Sequence, residues 1–237
     1  MRLTLFDVDG TLVNAGGAGR WALERAFEVT FGVEDAAAFS GKVRFNGRTD
    51  PVIVADIAAL AGVPAPDLLR RKRDLEEAYL GLLEERLGQT RSARALPGVK
   101  PLLDALGGRE VAVGLLTGNV ERGARLKLRA VDLDRYFDGG AFGSDHEDRI
   151  ELGRLARERF ASRLGRRIDP REVVVIGDAV EDVRAARVNG YRCLAVASGW
   201  TEKEALVAEE PDLLLEDLSD TEIVVRWIEG RPPARPA

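Results

Sequence analysis

Two carboxylates stand where an apolar strand should end. The stretch LTLFDVDGTLV carries Leu3, Leu5 and Phe6 straight into Asp7 and Asp9, followed by Gly10 and Thr11. Acids are costly beside buried strand residues unless their charge is compensated. Either the chain has reached the surface here or a cation waits at the strand end. Two other apolar runs finish in the same way: VAVGLL leads into Thr117-Gly118-Asn119, and VVVI leads into Gly177-Asp178, with Asp182 four residues further on. Ligands of open parallel sheets bind at the carboxyl ends of the strands, so the three ends would meet at one site.

Asp7, Asp9 and Asp178, brought together, would repel one another and partly protonate unless a divalent cation sat among them. Oxygen-only ligands favour Mg²⁺. A phosphate ester at that ion is open to attack by a carboxylate, because Asp serves as a nucleophile in aspartyl-phosphate chemistry. Gly10 permits a turn that folds Asp9 back over the nucleophile. Thr117 offers a hydroxyl to a phosphate oxygen, and Gly118 with Asn119 opens a helix whose free N–H groups favour an anion. Each motif alone has a plainer reading: DVDGT as a surface turn, Thr117 as a helix cap, GDAVED as a helix start whose acids suit the macrodipole. All three in this order, each after an apolar strand, argue for a site.

The elements that must position these residues are legible from Leu96-Pro97-Gly98 onward, where short apolar runs alternate with amphipathic segments. Strands are expected at 111–117, 172–178, 192–198 and 212–215, and helices at 119–130, 149–164, 180–189 and 219–228. The first strand is separated from these by about ninety residues in which only helical spacing occurs, at 17–31, 50–61 and 66–87. The fold class is therefore α/β, a doubly wound parallel sheet with an all-helical domain inserted after its first strand. Residues 1–15 and 95–230 are expected to form the sheet domain, 16–94 the helical one, and 231–237 (RPPARPA) a disordered tail.

Composition narrows the function classes. The 237 residues are 45% hydrophobic and 32% charged with a net charge of −5, ordinary for a globular protein and unfavourable for general binding to nucleic acid or anionic membrane. No apolar stretch is long enough to span a bilayer and no signal-peptide run precedes Asp7, so a cytoplasmic protein is expected. The lone Cys193 sits in an apolar run and reads as packing. His146 reads as a surface residue, and the RRKR run at 70–73 as a solvated helix face.

These motifs resemble the haloacid dehalogenase superfamily, and within it the phosphoglycolate phosphatase-like branch: DVDGT at 7–11, GRTD at 47–50, LLTGN at 115–119, GDAVEDVRAARVNGY at 177–191 and AVASGW at 195–200. The resemblance implies a Rossmann-like core, a cap that closes over the site, Asp7 as nucleophile and Asp9 as general acid and then base. It implies that Asp7, the backbone carbonyl of Asp9 and Asp178 hold Mg²⁺, with Asp182 in support. The family usually places a lysine before the helix that precedes the GD strand; here the segment is GSDHEDRIELGRLA, and Arg149 stands where the lysine is expected. Arg149 reads either as that cation or as a solvated first-turn residue. Arg44, Arg48 and Thr49, which flank the Phe45-Asn46-Gly47 turn between expected cap helices, are candidates for substrate binding, and a solvated loop explains them equally.

The leading expectation is a Mg²⁺-dependent phosphatase of a small, phosphoglycolate-like metabolite, monomeric or homodimeric, without nucleic-acid or membrane partners. A dehalogenase would need no metal and no second acid, so Asp9 argues against it. A phosphosugar mutase would keep the same motifs, and a non-catalytic binding module would have no use for Asp7, Asp9, Thr117 and Asp178 together.

Overall fold

The computed structural model describes residues 1–90 and 92–231; most of the RPPARPA tail lies outside the described residues. Chain order begins with β1 (Arg2–Phe6), followed by a two-residue strand β2 (Val13–Asn14). Five helices come next: α1 (Ala18–Phe31), α2 (Ala36–Ser40), α3 (Asp50–Leu60), α4 (Ala65–Arg70) and α5 (Lys72–Thr90). The chain returns through β3 (Arg94–Ala95), which pairs antiparallel with β2, Asn14 opposite Arg94. The two ends of the helical segment thus leave and re-enter side by side.

The remainder alternates: α6 (Val99–Leu106), β4 (Val111–Thr117), α7 (Glu121–Arg129), β5 (Gly140–Phe142), α8 (Arg149–Arg163), β6 (Val173–Gly177), α9 (Val180–Asn189), β7 (Arg192–Val196), α10 (Lys203–Ala208), β8 (Leu213–Leu215) and α11 (Thr221–Ile228). Six strands form one parallel sheet in the order β5-β4-β1-β6-β7-β8. Parallel strands covered on both faces must be apolar on both. Accordingly Leu3, Leu5, Val173, Val175 and Cys193 pack on α8 and α9 through Leu152, Phe160 and Val183, while Phe6, Val174, Ile176 and Leu194 face the opposite way, towards Leu102 of α6 and Val224 and Ile228 of α11. The fold is a doubly wound, Rossmann-like α/β sheet. Cys193 is buried, and burial pushes its thiol well above the ordinary range.

The expected helix over 66–87 is two helices, broken at Arg71. Leu68 and Leu69 of α4 line a cavity, as does Leu75 at the start of α5, while further along α5 Leu80, Leu83 and Leu87 join the cluster that contains Ala22, Ala26 and Phe27 of α1. The RRKR run straddles that break, largely exposed, with Arg70 paired to Asp67 and Arg71 to Asp74. Among the described residues no helix is long and apolar enough to cross a membrane.

Candidate active site

The reversal of strand order falls at β1: β4 lies on one side and β6 on the other. Register puts Phe6 opposite both Leu115 and Ile176, so Asp7, Thr117 and Asp178 emerge together at the carboxyl end, where the strand tops leave an open crevice. The Asp7 N–H still donates to the Ile176 carbonyl (2.9 Å), which fixes the strand end that carries the carboxylate. Gly10 then turns the chain with φ +78°. A Cβ on Gly10 would lie 2.4 Å from an Asp178 oxygen, and one on Gly199 would lie 1.7 Å from the same atom. Two glycines therefore make room for one carboxylate.

Asp7, Asp178 and Asp182 each offer an oxygen within 4.8 Å of the others, and all three are buried. Asp178 accepts from the Thr11 hydroxyl (3.2 Å) and the Trp200 N–H (3.3 Å), and Asp182 accepts from the Ala179 N–H (3.1 Å). Burial, then the neighbouring acids, hold the Asp178 carboxyl far above the usual range; burial likewise raises Asp182 against the pull of Arg149. The Asp182 Oδ1 has no well-aligned hydrogen bond. An all-oxygen, buried, mutually repelling set of three carboxylates fits a hard divalent cation.

Two buried cations divide the acids. The Arg149 Nη2 lies 2.9 Å from Asp7 Oδ1 and 2.6 Å from Asp182 Oδ1, and Arg149 is only 6% exposed. Burial opposes its charge, but Asp182 and Asp7 outweigh that cost and lift its pKa further. The second cation is Lys127, 5% exposed, whose ammonium contacts Asp9 Oδ2 and donates to Asn119 Oδ1 (2.6 Å). Asn119 Nδ2 in turn donates to Asp9 (2.9 Å) and to the Thr117 hydroxyl (2.8 Å). For Lys127 too, burial is overcome by the attraction of Asp9 and Asp50, and its pKa rises.

The helical segment covers the crevice from above. The Asp50 N–H donates to the Gly118 carbonyl (2.7 Å), and its carboxylate accepts from the Val120 N–H (2.8 Å) at the start of α7. Burial pushes the Asp50 carboxyl up to about 6 against the pull of Lys127 and the Val120 N–H. Gly118 is required here: a Cβ would meet the Arg48 carbonyl oxygen at 2.1 Å. The Thr49 hydroxyl donates to the Glu147 carbonyl (3.0 Å), and Asn46 Nδ2 donates to the Thr201 hydroxyl (2.6 Å). Between segment and sheet lies a cavity of about 860 Å³, with Asp7, Asp9, Thr117, Lys127 and Arg149 at its floor.

A model of the haloacid dehalogenase-like hydrolase family matches residues 1–190. The chain belongs to the haloacid dehalogenase-like hydrolases. This hydrolase is 30% identical over 223 residues to a phosphoglycolate phosphatase of Synechococcus elongatus, covering 93% of this chain and 95% of the relative. It is 29% identical over 225 residues to phosphoglycolate phosphatase 1 of Pseudomonas aeruginosa, covering 92% and 78%. Among solved structures, a predicted phosphoglycolate phosphatase of Haemophilus somnus shares the fold with a TM-score of 0.72 at 18% identity, covering 95% and 98% of the two chains. A putative beta-phosphoglucomutase of Thermotoga maritima shares it at 0.62 and 22%, covering 96% and 99%.

In this hydrolase Asp7, Asp9, Thr117, Gly118, Asn119 and Arg149 all line the cavity, and Asp178 and Asp182 lie behind Asp7. Arg149 is not a solvated first-turn residue; it is buried between Asp7 and Asp182. Arg44 and Arg48 also line the cavity, yet their guanidinium groups are paired, with Glu181 and with Asp56. Thr49 turns to Glu147 and is not on the cavity wall. His146 is exposed, its Nδ1 accepting from the Asp148 N–H (2.9 Å). Two residues escaped the sequence reading. Lys127 falls on the buried stripe of α7 with Gly123, Ala124 and Leu128, and a lysine on such a stripe was the available signal. Asp50 closes GRTD, and its place at the first turn of α3 reads as ordinary helix chemistry.

Proposed function

We propose that this hydrolase is a Mg²⁺-dependent phosphatase that cleaves a small phosphomonoester through a phosphoryl group carried on Asp7. The observation that supports this most is the division of acids between two cations: Asp7 shares Arg149 with Asp182, whereas Asp9, two residues on, is held by Lys127 and Asn119. One carboxylate stands at the floor for attack while the other is held apart for proton transfer. An Asp7 oxygen attacks phosphorus, the ester P–O bond breaks, and Asp9 gives its proton to the departing alcohol oxygen. Asp9 then takes a proton from water, whose oxygen attacks phosphorus, and the bond to Asp7 breaks to free inorganic phosphate. Arg149 balances charge on Asp7 and the phosphoryl oxygens, and Thr117 and the Gly118 and Asn119 backbone flank them. Asp7, the Asp9 carbonyl and Asp178, with Asp182 behind, would hold Mg²⁺, which when bound neutralises charge on the phosphoryl oxygens.

On this reading residues 16–94 are a cap over a core of 1–15 and 95–230, and its closed contacts exclude water and macromolecular substrates. Phosphoglycolate, named for the relatives, is the first compound to assay. The mutase reading has less support: the phosphoglucomutase neighbour shares the fold alone, while a phosphatase is similar over nearly its full length. Purified protein with Mg²⁺ should release inorganic phosphate from a phosphomonoester panel, and beryllium fluoride should inhibit it. Asp7→Asn should abolish release with an unchanged circular dichroism spectrum; substantial turnover in that variant would overturn the mechanism.

A further inference from the structure

The walls of the cavity differ in character from its floor. Above the acids and cations rise Leu23 of α1, Phe45, Ile53 and Val54 of α3, Leu68 of α4 and Leu75 of α5. The side chains expected to meet a second anionic group are committed elsewhere, Arg44 to Glu181 and Arg48 to Asp56. Arg20, also on the wall, lies with its guanidinium 4.3 Å from the Phe45 ring centre and donates to the Ser40 carbonyl.

Size points the same way. Taking the ~30 Å³ share of a liquid water as a generous figure per heavy atom, a two-carbon phosphorylated acid of about nine heavy atoms fills on the order of 270 Å³. The cavity is about 860 Å³, at the upper end of those that enclose drug-sized ligands. A phosphorylated acid seated on the floor would leave most of the apolar wall facing water; its own carboxylate would find these three arginines already paired or stacked, and the other cation on the wall, Lys72, is an exposed residue at the start of α5. An apolar body would remove both costs.

We infer that the preferred substrate is the phosphate monoester of an apolar alcohol, with the phosphate as its only anionic group and a hydrocarbon body filling the cap side of the cavity. This rests on the phosphatase reading above and narrows its substrate. The test is a homologous series, ethyl, butyl, hexyl and octyl phosphate, with phosphoglycolate alongside, each kept below its micelle concentration and assayed by phosphate release with Mg²⁺. The alkyl leaving groups are chemically alike, so the series isolates burial. At ~0.8 kcal/mol per buried methylene, kcat/KM should climb up to about fourfold per added carbon until the cavity is filled, and octyl phosphate should exceed phosphoglycolate. Leu68→Asp should lower the octyl-to-ethyl ratio of kcat/KM at least tenfold. A flat or falling series, phosphoglycolate as the better substrate, or an unchanged ratio in Leu68→Asp would overturn the inference while leaving the phosphatase standing. Release from none of the esters would defeat the phosphatase reading, and the inference with it.

Discussion

Replacing Arg149 by methionine keeps much of the side-chain length and removes the fork. The guanidinium holds Asp7 at 2.9 Å and Asp182 at 2.6 Å in a setting where it is 6% exposed. Hydrogen bonds to charged groups contribute ~1.5–3 kcal/mol each, and breaking a buried ion pair costs about 3–5 kcal/mol. Three close carboxylates then lose their resident cation. For a chain of this length ~1 kcal/mol corresponds to roughly 2–4 °C in Tm, so Arg149→Met should melt on the order of 6–20 °C lower in chelator. Saturating Mg²⁺ should narrow that gap, because a cation among Asp7, Asp178 and Asp182 restores part of the balance. If the same ~3–5 kcal/mol is needed to hold the transition-state charge, kcat falls by about two to four decades. Arg149→Lys keeps the charge but cannot serve two carboxylates as a rigid fork, so it should recover only part of kcat. The assays are differential scanning fluorimetry with and without Mg²⁺ and steady-state phosphate release. An Arg149→Met enzyme with kcat within threefold of wild type and an unchanged Tm would refute the reasoning.

Lys127→Met should lower kcat by about two decades while changing KM little, since it frees Asp9 without touching the phosphate end of the site; a KM effect alone, in the same steady-state assay, would show that Lys127 binds substrate and does not position Asp9. Chelation should abolish activity and Mg²⁺ restore it, and because burial holds the Asp178 and Asp182 carboxyls high, Mg²⁺ binding should release protons and weaken as pH falls, measured by calorimetry in buffers of different ionisation enthalpy. Asp50 titrates at about 6 when folded against an ordinary 3.8, so the folded state holds its proton more tightly than the unfolded chain does. The stability associated with that proton is fully present below pH ~4 and lost as pH rises towards 6. Asp50→Asn should flatten this decline in urea titrations run from pH 4 to 7, and an identical slope in both proteins would rule Asp50 out as its source.

The strands that carry the site were readable because burial on both faces makes β1, β4, β6 and β7 predominantly apolar, with Thr4 the one polar side chain buried in the middle of a run, and because the acids stand out against them. β2, β3 and β5 have two or three residues each, too few for any period to emerge, and their pairing is set by what the rest of the chain brings alongside. The break at Arg71 was hidden because the residues on either side continue at helical spacing. Arg44 was read without its partner because Glu181 is 137 residues away. Lys127 was missed for a related reason: its burial is tolerable only beside Asp9 and Asn119, a neighbourhood that a helical wheel does not contain. Arg149 stood out as a candidate because the family resemblance expects a cation at that position, but only its contacts with Asp7 and Asp182 decide between a buried and a solvated side chain.

The pairing of Asn14 with Arg94 has a topological consequence. Antiparallel neighbours can be joined by a two-residue turn, so the stretch between them is a side excursion whose length the sheet does not register. With its ends already pinned together, doubling such an excursion costs only ~0.6 kcal/mol of closure entropy. The strands presenting Asp7, Thr117 and Asp178 thus keep their places whatever length of chain runs between Asn14 and Arg94. On the function proposed above, exchange of that stretch would retune selectivity while the strand ends go on performing the same reaction.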